Sequence, residues 1–246
     1  INEGWECILL NQFHDIIPGS SIHEVYEVSD IDYANIAKAG NGAIDSATKS
    51  IAENVCADYV VFNPHSFTNS GAVEVDGKWY YVENVAPKGY KAITLKDEPS
   101  KVQVTENSIE NDFFRLTLDS KGTFTSIFDK RNNREVLKNG QRGNVLTAYE
   151  DYPREYDNWE MSSYYTEKSW EADKVESVEV LNEGERAGLK ITKKFKNSTI
   201  VQSIYLYNNI DKIDFENYID WKESHIILKT AFPVDVNTNK ATYDIQ

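Results

Sequence analysis

The stretch Trp5–Ser21, WECILLNQFHDIIPGSS, decides how the rest of the chain is read. Trp5, Ile8, Leu9, Phe13, Ile16 and Ile17 recur at helical spacing, so an apolar helix is expected over 5–17. Pro18 and Gly19 stop it. His14 and Asp15 stand side by side at its end, and on a helix adjacent side chains point about 100° apart. An imidazole held at a rigid helix end suits a metal ligand, with the carboxylate left for a substrate hydroxyl. A polar cap, or a hydrogen-bonded pair in the core, accounts for the same two residues.

Downstream of that stretch, Ser21 with Glu24 and Ser29 with Asp32 have capping-box spacing. The first predicts a short helix with Ile22, Val25 and Tyr26 on one side. The second opens a long helix whose stripe of Tyr33, Ile36, Ala37, Ile44, Ala47, Ile51, Ala52 and Val55 runs to about residue 56. Its length, roughly 40 Å, implies a helical bundle. Gly40 and Gly42 imply a bend or close packing in its middle. From Tyr59 onward period two takes over. Strands are expected at 59–62, 71–75 and 78–82 around Asp76-Gly77, and at 90–95, 102–106, 109–118 and 123–128. A short strand is expected at Glu135–Leu137, and longer ones at 174–182, 186–196, 199–208, 212–221 and 226–231. Residues 145–170 read as a long irregular, aromatic-rich segment, and Asp97–Lys101 as a linker. The predicted class is α+β: a helical segment over 1–57 that is part of a bundle, a small β domain over 58–98, and a large antiparallel β-sandwich over 99–246.

Hydrophobic residues make up 40 % of the 246, enough for a substantial core, and the net charge is −14. So acidic a surface disfavours nucleic acid and anionic membranes as partners. Cys7 and Cys56 form no C-x-x-C pair and no disulfide framework, and Cys7 reads as a buried free thiol. No apolar run nears the roughly 20 residues of a membrane span, and no basic, apolar leader opens the chain. Ile1 in place of Met gives the expectation of a chain processed or cut from a longer one. The cytoplasm is the expected compartment.

Other candidate chemistry is sparse. His23, His65 and His225 form no H-x-H, H-E-x-x-H or Cys-His cluster. Residues 150–160, EDYPREYDNWE, set carboxylates among aromatic rings. Paired carboxylates divide the work in glycoside hydrolysis, and rings stack on sugars. A solvated acidic loop anchored by its rings explains the same composition. There is no phosphate-binding glycine loop and no nucleophile elbow.

The run from Trp5 through Asn11-Gln12-Phe13-His14-Asp15 to Ile22 resembles the late signature of the family-38 glycoside hydrolases, the class II α-mannosidases. Val61-Phe62-Asn63-Pro64, Phe128-Asp129-Lys130, Arg134-Glu135-Val136, Tyr156-Asp157-Asn158-Trp159-Glu160, Ile219-Asp220-Trp221, His225, Leu228-Lys229 and Phe232-Pro233-Val234 extend the resemblance over nearly the whole chain. The resemblance implies a parent with a barrel-like catalytic domain, a three-helix bundle and β-sandwiches of the galactose-mutarotase-like supersandwich type. It implies a retaining, exo-acting α-mannosidase that uses Zn2+ and acts on α-mannoside oligosaccharides. It makes His14 a zinc ligand and Asp15 a contact for sugar hydroxyls. No residue here matches the family's nucleophile, acid or other zinc ligands. The chain is therefore expected to lack the barrel, to be inactive alone and to retain zinc poorly. Two rivals remain: a carbohydrate-binding sandwich module with a helical linker, and a structural or oligomerisation module that forms homo-oligomers.

Overall fold

The structure, a computed structural model, describes residues 1–96, 98–157 and 159–243. Asp97 of the expected linker, Asn158 of the Tyr156–Glu160 motif and the last residues of the expected 99–246 domain lie outside the described residues. The described chain is α+β, with two helices followed by antiparallel sheets. It divides into two compact units. One comprises 1–70, 83–96 and 152–162; the other comprises 71–82, 98–151 and 163–243.

The first unit begins with α1 (Asn2–Asn11) and α2 (His23–Ala52). The expected helix over 5–17 ends at Asn11, and the two expected helices after it are one. Neither capping box forms. The Ser21 hydroxyl donates to the Asp15 carbonyl at 2.9 Å, and the N-cap of α2 is Ile22, with no side-chain cap bond. Nothing between His23 and Ser29 breaks a helix, and once nucleated a helix extends at little cost, so Ser29 lies buried inside α2. Asn11 joins the helices, its Nδ2 donating to the Cys7 carbonyl and to Asp32 Oδ2, both at 3.0 Å. Cys7 is half-buried and Cys56 exposed, both as free thiols. A Cβ at Gly40 or Gly42 would meet no described atom within 4 Å, so neither glycine packs closely against the described residues. Trp5, Leu9, Leu10, Val28, Ile31 and Ile44 are all exposed. Two helices alone cannot cover the apolar stripe that each carries.

Next, β1 (Tyr59–Phe62) precedes the hairpin of β2 (Asn69–Val75) and β3 (Lys78–Val85), and β1 pairs antiparallel with β4 (Tyr90–Ile93). Asn63 closes β1. Its buried amide donates to the carbonyls of Phe67 (2.8 Å), Val85 (3.0 Å) and Ala86 (3.1 Å), and its Oδ1 accepts from His65 N.

The second unit is a sandwich. Its first sheet runs β5 (Gln103–Thr105), β6 (Ser108–Glu110), β7 (Phe114–Leu118), β8 (Phe124–Asp129) and β9 (Arg134–Glu135) in order. The single strand expected over 109–118 is two, because Asn111 Oδ1 accepts from the backbone N–H of both Phe113 and Phe114 and turns the chain there. The irregular segment expected over 145–170 begins with β10 (Val145–Glu150) and ends in β11 (Ser169–Glu171). β12 (Lys174–Glu183), β13 (Arg186–Phe195), β14 (Ser198–Tyr207) and β15 (Asp214–Asp220) form an antiparallel sheet in sequence order. β16 (Ile226–Ala231) joins β10, giving the order β11-β10-β16.

One core packs Ile109, Leu116, Phe124 and Ile127 of the first sheet against Leu189, Ile191, Ile204 and Leu206 of β13 and β14. A second packs Leu146, Ala148 and Ala172 against Phe195 and Ile200. The inward row of β13 thus serves both cores. Lys193 occupies that row at 1 % exposure, with Nζ directed to the Gly122 carbonyl. Charged groups gather around it. Arg142 binds Glu171 through two bonds of 2.7 and 2.8 Å, and Lys121 lies 2.6 Å from Asp173. Asp119 accepts from Thr123 N, Thr123 Oγ1 and Lys121 N. Burial pushes the Lys193 ammonium down, while Asp119, Glu171 and Asp173 act in the opposite sense. The Arg142 bond holds Glu171 below its usual range, and the Lys121 bond does the same for Asp173. Burial raises Asp119, but its hydrogen bonds and Arg142 outweigh it and leave it lowered.

Two outcomes are expected. A Cβ at Gly188 would sit 1.8 Å from the Ile204 carbonyl oxygen, so Gly188→Ala must push β13 from β14. It should cost at least about 2 kcal/mol in urea unfolding. Carboxylates with lowered pKa values stabilise the fold above their unfolded values, near 4, and lose that contribution as pH falls through their folded ones. The stability gap between wild type and Arg142→Met should be full above about pH 5 and narrow below about pH 4, read from urea midpoints across pH.

Candidate functional site

The His14–Asp15 pair lies in a turn rather than on a helix. Gln12 N still reaches the Ile8 carbonyl at 3.0 Å, but Phe13 N bonds the Leu10 carbonyl, and the helix tightens and stops. The Phe13 carbonyl then accepts from Ile16 N (2.9 Å) and Ile17 N (3.1 Å), starting a second turn. Pro18 has no N–H to continue it. Gly19 bends the chain back with a φ of 83°, in the left-handed region that side chains disfavour.

The Asp15 carbonyl oxygen closes this loop. It accepts from Ser20 N (3.2 Å), Ser21 Oγ (2.9 Å) and the Tyr26 hydroxyl (3.2 Å). The Tyr26 oxygen in turn accepts from Ser21 N at 2.9 Å. The loop is therefore tied to the first turn of α2 through the backbone of Asp15, and both side chains of the pair are left unburied. His14 is 74 % exposed and Asp15 43 %. The Phe13 ring lies 4.2 Å from the imidazole, centroid to centroid, and the His14 Nε2 to Asp15 Oδ2 distance is 3.9 Å. The divergence of about 100° that a helix would impose does not apply, and the two polar groups face the same region.

Imidazole and carboxylate are the donor types that zinc takes. Two donors are fewer than a zinc site takes, and among the described residues no group of three or more His, Cys, Asp or Glu comes together to hold an ion. His14 thus fits a ligand position, and the described residues do not make a whole centre. The other histidines lie apart from this turn in sequence. His23 pairs with Glu27 on the surface of α2, His65 stacks on Phe67, and the His225 carbonyl accepts from Asp151 N.

The acidic and aromatic segment leaves β10 as a loop. It turns at Tyr156, whose carbonyl accepts from Trp159 N at 2.7 Å and Glu160 N at 2.9 Å, and its rings are exposed. Tyr26 and Asn11, which hold the His14 turn, carry no signal in the sequence as functional residues. Their hydrogen bonds reach across the turn and between helices, beyond what periodicity records.

Residues 109–246 match the glycosyl hydrolases family 38 C-terminal domain. The chain belongs to glycosyl hydrolase family 38. Residues 1–51 match the alpha mannosidase middle domain, which places the His14 turn in that domain's sequence. Human alpha-mannosidase 2C1 is 27 % identical over 274 residues, covering 98 % of this chain and 25 % of the human protein. Alpha-mannosidase of Saccharomyces cerevisiae is 25 % identical, covering 100 % of this chain and 23 % of the yeast protein. Alpha-mannosidase G of Dictyostelium discoideum is 23 % identical, covering 98 % and 28 %. The chain spans about a quarter of the length of these relatives. No helix among the described residues is long and apolar enough to cross a membrane.

Removing the Tyr26 hydroxyl should loosen the turn while sparing the sandwich. Tyr26→Phe leaves Ser21 N without its acceptor and the Asp15 carbonyl with one donor fewer. Amide exchange at Ser20 and Ser21 should quicken about fivefold, as expected for the loss of about 1 kcal/mol of local hydrogen bonding. Exchange in β13 and β14 should not change.

Proposed function

We propose that this chain is part of a zinc-dependent, retaining exo-α-mannosidase that removes terminal α-mannose from oligosaccharides. The observation that carries the reading is the exposed His14–Asp15 turn, held by its backbone within a chain that belongs to family 38. The relatives named alpha-mannosidases support the substrate class. In this reading His14 donates an imidazole lone pair to the metal, and Phe13 beside it limits how the ring turns. Bound zinc would supply a Lewis acid for sugar hydroxyls. Asp15 accepts a hydroxyl hydrogen from the terminal sugar. Retention requires two carboxyl groups about 5 Å apart on either side of the scissile bond. No residue of this chain is assigned to either role, so the 246 residues alone are expected to be inactive.

Residues 1–57 would serve as bundle and site edge, 58–98 as a small β domain, and 99–246 as the supporting sandwich. The free thiols of Cys7 and Cys56 suit a reducing compartment, and the cytoplasm is the proposed location.

The intact gene product should hydrolyse an aryl α-mannoside and lose that activity to a chelator, with recovery on added zinc. His14→Ala should lower both bound zinc, measured by atomic emission, and turnover, each at least about tenfold. Full zinc stoichiometry in that variant would remove His14 from the ligand set. Absence of mannosidase activity in the wild type would leave the sugar-binding module as the better reading.

A further inference from the structure

We propose that the described loop residues 152–157 and 159–162 form a second sugar-contact element, which takes the part of an oligosaccharide beyond the bond that is cut. The inference rests on the mannosidase reading above for its substrate.

The loop presents large side chains to water. Tyr156 is 66 % exposed, Trp159 60 %, Tyr152 57 % and Met161 48 %. Such a concentration within one loop is costly to leave bare, and exposed apolar clusters rimmed by polar groups mark binding surfaces. A backbone turn joins two of these residues, Tyr156 and Trp159. Tyr156 has a φ of 58°, a conformation uncommon for a bulky residue. It is kept there because its carbonyl accepts two N–H groups, from Trp159 and Glu160. Residues held in this way without glycine cluster at ligand sites.

The polar groups between the rings select the ligand. Glu155, Asp157 and Glu160 are exposed acceptors, with Arg154 as the nearby cation. Together with the net charge of −14, they disfavour phosphate or another anion. Aromatic faces and carboxylate acceptors side by side suit a neutral polyhydroxyl ring, whose C–H face packs on the aromatic and whose hydroxyls donate to the acids. The loop also groups with the unit that holds His14 and Asp15, not with the strands on either side of it in sequence. In the mannosidase reading that pair takes the terminal sugar, which leaves the loop for the sugars that follow.

The test uses the intact gene product, with an aryl α-mannoside and an α-linked mannotriose as substrates. Trp159→Ala should lower the ratio of kcat/KM for mannotriose to that for the aryl mannoside about tenfold, mainly through KM. Trp159→Phe, which keeps a ring, should recover most of that ratio. Tyr156→Asn, which tolerates the left-handed turn, should act as Trp159→Ala does and guards against a misfolded variant. Mannotriose binding is measured in parallel by saturation-transfer NMR, which needs no turnover, with saturation reaching sugar protons from aromatic ones. An unchanged ratio in both variants with unaltered binding overturns the proposal. So does an equal fall on both substrates, which would give the loop no part in the sugars beyond the cut bond. A wild type that binds mannotriose through the loop but hydrolyses neither substrate would overturn the mannosidase reading alone.

Discussion

The alternation of side chains along β13 constrains everything built on the sandwich. Ala187, Leu189, Ile191, Lys193 and Phe195 point to one side, and each must find a partner there. The first three meet the sheet that carries Leu116 and Phe124, while Phe195 meets the sheet that carries Leu146 and Ala148. Lys193 falls at the joint, where neither apolar surface continues. A single strand in fixed register therefore holds two sheets, and the charged groups around Lys193 fill the seam. A one-residue slip would turn the whole row outward and separate both cores at once. Gly188 is the place on β13 where a side chain would collide with the Ile204 carbonyl of β14.

The candidate site follows a different rule. Hydrophobic burial contributes little there, since Phe13, Ile17 and Ile22 are all exposed. Its order comes from hydrogen bonds that converge on the Asp15 carbonyl and from Gly19. Few contacts hold it, and a site of this kind gains rigidity from whatever packs on its exposed apolar neighbours.

Most of the strands were legible because period two is a local signal: β13, β14 and β16 lie within a residue or two of the expected bounds. The breaks were not. Asn111 splits an apolar run through two hydrogen bonds that hydrophobic pattern does not encode. β10 and β11 hid in a segment whose many rings mask alternation, and they are strands because they pair with β16 and with each other. At the start of the chain, Ser21 and Ser29 had the spacing of caps. A cap forms only at the residue just before the first helical turn, and there α2 has Ile22, with Ser21 one place too early and Ser29 inside the helix. His14 and Asp15 could be singled out as a pair, and the resemblance gave them roles. Their position in a turn depends on Tyr26 and on where α1 stops, neither of which periodicity reports.

The convergence on a main-chain oxygen at residue 15 has a consequence for how this site can change over time. Every residue has that oxygen, whatever its side chain. The anchor would survive substitution of Asp15, so long as the replacement accepts the turn. Architecture and chemistry are thus written in separate atoms of one residue. Drift at this position can change the side chain that is presented without unmaking the loop that presents it.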